Sequence, residues 1–139
     1  MKYLSNYTEA KTTKALDEAG AFFAFGKKQF DEQKKEHVEY VSMGMGLVCP
    51  KANADTLARD LLRIGNEGRA EDLAENGKRG VIHRELGNHE YCVTYDITDT
   101  AMSLCGYGIT DEEIQAETGA YLKAHYEWED AQERAAVTA

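Results

Sequence analysis

The fold predicted by this sequence is α+β: a small sheet of about three strands packed against several helices, with a long C-terminal helix. Three observations point there. Apolar residues alternate at period two through YVSMGMGLVC, Leu57, Leu61 and Ile64 recur at helical spacing, and a longer helical stripe leads to Trp128. A chain of 139 residues is enough for one core, so residues 1–139 are expected to form a single domain.

Taken in order, Asn6 and Glu9 have the spacing of a capping box, and EAKTTKALDEA runs as a helix to Gly20. AFFAF at 21–25 is too short for another helix and reads as a buried strand. KKQFDEQKKE, with Phe30 as its one large apolar anchor, suits an exposed helix or helical turn covering a sheet edge. In YVSMGMGLVC, residues 40–49 read as one strand with Val41, Met43, Met45, Leu47 and Cys49 on one face, ended by Pro50. Asn53 is placed to cap a helix through Ile64. Gly65, Gly68, Gly77 and Gly87 then predict several short helices rather than one long one.

HEYCVTY at 89–95 alternates as a third strand. Asp96 and Asp99 open a short helix that Gly106 stops. Thr110 and Glu113 form a second capping box, and Ile114, Thr118, Tyr121, Leu122, His125 and Trp128 mark one face of the helix that follows, from Asp111 to about Ala136.

The net charge of −9 opposes general affinity for nucleic acid and favours a basic protein partner. Eight acids against two basic residues after position 109 put −6 of it in the last segment. An acidic helix of this kind can imitate a row of phosphates, although ordinary solvated helices are also acidic on one side. No stretch has the length of a membrane span or the pattern of a signal peptide, so a cytoplasmic protein with no membrane contact is expected. Cys49, Cys92 and Cys105 are odd in number and far apart, which fits reduced, mostly buried thiols rather than disulfides or paired zinc ligands.

The richest polar stretch is GVIHRELGNHEYC, where His83, Glu85, His89 and Glu90 are capable of proton transfer or metal binding. A helical zinc motif needs two histidines four apart. Here they are six apart with Gly87 between, so no catalytic set and no metal or cofactor is assigned, and the four residues are more readily caps and solvated groups. Gly44 and Gly46 lack the third glycine of a dinucleotide-binding loop, since Cys49 stands in its place; they read as packing positions that let a ring of Phe22, Phe23 or Phe25 approach. No Ser-His-Asp arrangement and no paired cysteine nucleophile is legible.

The segments GAFFAFGKKQFDEQKK, YVSMGMGLVCPK and RELGNHEYCVTYD, in this order, resemble a family of small uncharacterised proteins carried by bacteriophages and related mobile elements. The resemblance spans residues 3 to about 125. It implies a bacterial cytoplasmic setting and an accessory role, and it carries no catalytic or binding residue onto this chain.

Two functions from different classes follow. The first is a protein-interaction module that binds and modulates a host or phage macromolecule, with Tyr121, His125, Trp128, Glu129 and Asp130 as the contact residues and a protein partner or a second copy as the occupant. If the last helix instead folds back, Trp128 lies in the core. The second is a small metal-dependent or nucleotide-processing enzyme centred on His83 to Glu90.

Overall fold

Gly20, with left-handed backbone at φ 74°, ends the first helix, α1 (Leu4–Ala19). At the other end of α1 the Tyr3 N–H donates to Asn6 Oδ1 at 2.8 Å. Asn6 therefore sits in the first turn rather than at the cap, and the helix begins three residues earlier than its expected capping box implied. A computed structural model describes residues 1–138. The chain divides into two compact units, residues 2–68 and residues 69 onward with Met1; the boundary falls inside one helix.

In the first unit, β1 (Phe22–Phe23) is followed by α2 (Lys27–Gln33), β2 (Tyr40–Gly44) and β3 (Leu47–Pro50). The sheet is antiparallel, in the order β1-β3-β2, with Phe22 opposite Val48 and Val41 opposite Cys49. Phe30 on α2 meets Phe22 and Tyr40 at ring distances of 6.1 and 5.6 Å, which is the anchoring expected of it. AFFAF is not a buried strand. Only two residues pair, and Phe23 and Phe25 face solvent.

Residues 40–49 are a hairpin rather than a single strand. Gly44, Met45 and Gly46 take φ of 92°, 53° and 81°, and that succession of left-handed residues turns the chain back on itself. The period-two pattern survives on both sides of the turn, so alternation could not reveal it.

Helix α3 (Lys51–Asn88) begins before Asn53, whose amide instead donates to the Ala19 carbonyl at 2.9 Å, closing the end of α1. Leu57 and Ile64 are buried as their spacing predicts. Gly65 and Gly68 do not interrupt the helix. At Gly68 a Cβ would lie 2.4 Å from Thr8 Cγ2, so this glycine is there to let α1 come close. The one break is Gly77 (φ 73°, ψ 159°), in a region of backbone space that is essentially open to glycine alone.

The second unit holds the end of α3, then α4 (Tyr91–Thr94), α5 (Thr98–Leu104), a 3₁₀ turn (Cys105–Tyr107) and α6 (Asp111–Thr138). The expected strand at 89–95 is thus helical: Glu90 and Tyr95 both have left-handed backbone and bracket a single turn whose Tyr91 is buried. Among the described residues there are three strands, because the hairpin supplies the one this segment does not. Gly106 does not stop α5; the chain continues into the 3₁₀ turn, which ends at Gly108 (φ 71°). The second capping box forms as expected, with Thr110 N–H donating to Glu113 Oε2 (3.1 Å) and Glu113 N–H to Thr110 Oγ1 (3.2 Å). Val81, Ile82, Leu86, Tyr91, Leu104, Ile109 and Ile114 make the core of this unit. No helix is long and apolar enough to cross a membrane among the described residues. Cys49 alone of the thiols is buried; Cys92 is half-buried and Cys105 exposed, so the expectation of mostly buried thiols holds for one of the three.

Candidate functional site

Of the four polar residues at the end of α3, only Glu85 and His89 come together. His83 turns toward α6 and donates Nε2–H to Glu117 Oε2 at 2.7 Å, where the Arg79 Nε–H arrives at 3.0 Å. The His83 hydrogen bond, with Arg79 nearby, holds the Glu117 carboxyl below its usual range. Glu85 accepts from Arg84 Nε (2.9 Å), Asn88 (3.4 Å) and Ser103 (3.3 Å), with His89 3.6 Å away. Glu90 is the exposed first residue of the turn into α4. Among the described residues no three His, Cys, Asp or Glu side chains are grouped as a metal would require.

What the end of α3 does build is a buried polar network that motif reading missed. Asp72, fully buried, is gripped by Arg84 through Nη1 to Oδ1 (2.8 Å) and Nη2 to Oδ2 (2.9 Å). Tyr107 O–H and Asn76 Nδ2–H donate to the same carboxylate at 2.5 and 2.8 Å. Burial alone would push the Asp72 carboxyl up, but the hydrogen bonds from Arg84, Tyr107 and Asn76 outweigh it and hold it below its ordinary value. Burial, then the bond to Asp72, pushes the Tyr107 phenol up to about 12. Both carboxylate oxygens of Asp72 accept two hydrogen bonds each, and this satisfied, buried network orders the core. Asp72 lies twelve residues from Arg84, a separation at which no local motif signals a pair.

The residues expected to make contacts lie on α6. Ile114 and Thr118 are buried, Tyr121, Leu122 and His125 half-buried, and every residue from Tyr126 to Thr138 is exposed. The apolar face thus passes out of the core and continues into solvent. Along it the rings form a ladder: Tyr91 to Tyr121 at 6.3 Å, Tyr121 to His125 at 6.1 Å, and His125 to Trp128 at 6.2 Å, the last two stacked. His125 Nε2–H also reaches Glu129 Oε1 at 3.0 Å, which fixes the imidazole between its aromatic neighbours. Tyr126 shares a 2.8 Å hydrogen bond with Tyr95, the residue that closes α4, and this bond, first among the causes, pushes the Tyr126 phenol up. Trp128, the sole tryptophan, is 59% exposed. Glu129 and Asp130 stand beside it, both exposed.

Residues 2–68 carry ten basic and ten acidic side chains, whereas residues 69–139 carry six against fifteen, so the entire net charge of −9 belongs to the unit that bears the ladder. Sequence reading had located the acidity and the aromatic stripe. It had not anticipated the Tyr95–Tyr126 brace, because Tyr95 was assigned to a strand.

No curated protein and no solved structure matches the chain. Residues 4–127 match the model of a protein family, and the chain is a member of that family, described as Family of unknown function (DUF7659).

Proposed function

We propose that this protein is an acidic interaction module, an accessory protein of a bacteriophage or mobile element acting in the bacterial cytoplasm, which binds and modulates a host or phage macromolecule through the outer half of α6. The observation that carries the reading is the passage of one continuous aromatic face from the core into solvent, ending on Trp128 at 59% exposure. A large ring stacked on a braced imidazole loses little conformational entropy on binding, which makes it an efficient anchor. The thirteen exposed residues from Tyr126 to Thr138 span about 20 Å of helix, and a free helical segment that short is marginal in water. A partner lying along it would supply the missing packing. Glu127, Glu129, Asp130 and Glu133 surround Trp128 without a basic residue between them, so the partner's face is basic. The phage or mobile-element setting rests on the resemblance of the three quoted segments. Enzymatic chemistry at His83, Glu85, His89 and Glu90 has no comparable support, since only Glu85 and His89 approach each other, while His83 is engaged by Glu117 on α6 and Glu85 by Arg84.

Because the chain has one tryptophan, its emission reports on this surface directly. Titration with a basic amphipathic helical peptide is expected to shift Trp128 emission to the blue, with affinity falling as salt rises. Trp128→Ala is expected to weaken binding roughly thirtyfold or more, measured by calorimetry. An emission spectrum indifferent to the basic peptide would overturn the reading. Affinity capture from infected cells with wild type and Trp128→Ala then identifies the macromolecule as the species lost with the ring.

A further inference from the structure

We infer that the basic face received by α6 is carried by a second copy of this chain, whose hairpin presents Phe23, Phe25 and Met45 beside Lys27 and Lys28. The inference rests on the proposed reading of α6 and names its partner.

The hairpin surface is built, not incidental. Phe23 and Phe25 are 50% and 76% exposed, yet their rings lie nearly parallel, 8° apart, at 6.3 Å. The Phe25 ring rests on bare backbone at Gly46, where a Cβ would meet a ring carbon at 2.4 Å. Met45, 94% exposed at φ 53°, fills a turn position that hairpins ordinarily give to glycine, asparagine or aspartate. Three large apolar side chains held at one turn are a contact surface rather than scattered exposure.

The form of the occupant follows from the backbone. The Phe25 N–H donates to Gln29 Oε1 (2.7 Å), the Phe23 carbonyl accepts from Gln33 Nε2 (3.0 Å), and the Ala24 N–H donates to the Gly46 carbonyl (2.8 Å). With these groups satisfied, the segment offers a partner its side chains and not a strand edge, which suits an aromatic helix face.

Charge selects the copy. Residues 20–35 carry Lys27, Lys28, Lys34 and Lys35 against Asp31 and Glu32, a net charge of +2, whereas Tyr126–Glu133 contains four acids and no base. Two α6 helices laid side by side would bring like charges together, while α6 against the neutral unit of another copy meets lysine and apolar surface. The contact is therefore heterologous, with different surfaces on the two copies.

The test uses full-length chains that each lack one surface. Phe25→Ser with Met45→Ser removes the hairpin platform, and Trp128→Ala removes the anchor; all three positions are exposed, and circular dichroism confirms folding. By analytical ultracentrifugation at low salt, wild type is expected to associate as concentration rises from micromolar toward millimolar. Each variant alone is expected to stay monomeric, and an equimolar mixture of the two to form a one-to-one pair that high salt weakens roughly tenfold or more. A wild type that remains monomeric over this range, or variants that do not complement on mixing, overturns the inference. A monomeric wild type whose Trp128 still responds to the basic peptide leaves the reading of α6 standing and removes only its assignment to a second copy.

Discussion

Arg84 meets Asp72 end-on, in two parallel hydrogen bonds of 2.8 and 2.9 Å, although both belong to α3 and lie on opposite sides of Gly77. Twelve residues of unbroken helix would separate them by about 18 Å along the axis, beyond the combined reach of the two side chains. The break at Gly77 is what folds the helix back far enough for the pair to close. A glycine conformation and a buried ion pair are here two parts of one feature.

Removing Arg84 leaves the Asp72 carboxylate buried with its main partner gone, so Arg84→Ala is expected to cost about 3 to 5 kcal/mol in urea denaturation. Arg84→Lys is expected to recover little, since an ammonium cannot make the paired contact. Asp72→Leu with Arg84→Met in one chain is expected to be less damaging than Arg84→Ala alone, because no unpaired charge remains. A double variant worse than the single would refute this account.

The same network sets two pH limits. The Asp72 carboxyl is held low in the folded state, so its contribution is present above the ordinary aspartate range and is lost as pH falls through the folded value. Tyr107 works at the other end: its phenol is pushed up to about 12, so its contribution is full below the ordinary tyrosine value of about 10 and disappears as pH rises toward 12. Melting temperature against pH should fall at both ends. Tyr107→Phe should flatten the alkaline limb, and absorbance titration should lose one late-ionising tyrosine. An alkaline limb unchanged by this substitution would remove Tyr107 from the explanation.

Two helix glycines should respond oppositely to alanine. At Gly119 on α6 a Cβ meets nothing within 4 Å, so Gly119→Ala is expected to stabilise by about 1 kcal/mol through helix propensity. At Gly68 the same Cβ lands 2.4 Å from Thr8 Cγ2, so Gly68→Ala is expected to destabilise despite the better propensity. Thr8→Ser with Gly68→Ala should relieve part of that cost, which thermal melts would detect.

The hairpin glycines separate backbone strain from crowding. Both have positive φ, but a Cβ at Gly44 meets nothing, whereas one at Gly46 collides with the Phe25 ring. Gly46→Val is expected to cost on the order of 1 to 3 kcal/mol. Gly46→Ala should be worse than Gly44→Ala, and the difference should shrink in a Phe25→Ser background, where only strain remains. Equal costs in wild type would show that the ring simply moves aside.

The features legible in the sequence were those written within one element. The α6 stripe, its Thr110–Glu113 cap, the Phe30 anchor and the acidity of the last segment each depend on spacings of a few residues, and the structure has all of them. Tertiary structure decided whatever depended on distant partners. Alternation through residues 40–49 is the same in a strand and in a hairpin, and HEYCVTY alternates as well as any strand; the buried Tyr91, drawn into a helical core, overrides that pattern. Glycine identity likewise could not distinguish Gly68, which admits another helix, from Gly77, which breaks one, because the difference is made by what packs against each position. For the same reason the pairing of Asp72 with Arg84 had no signal in the chain. Local periodicity determines which face of a helix is apolar, and only the fold determines where that face leaves the core, as it does beyond His125.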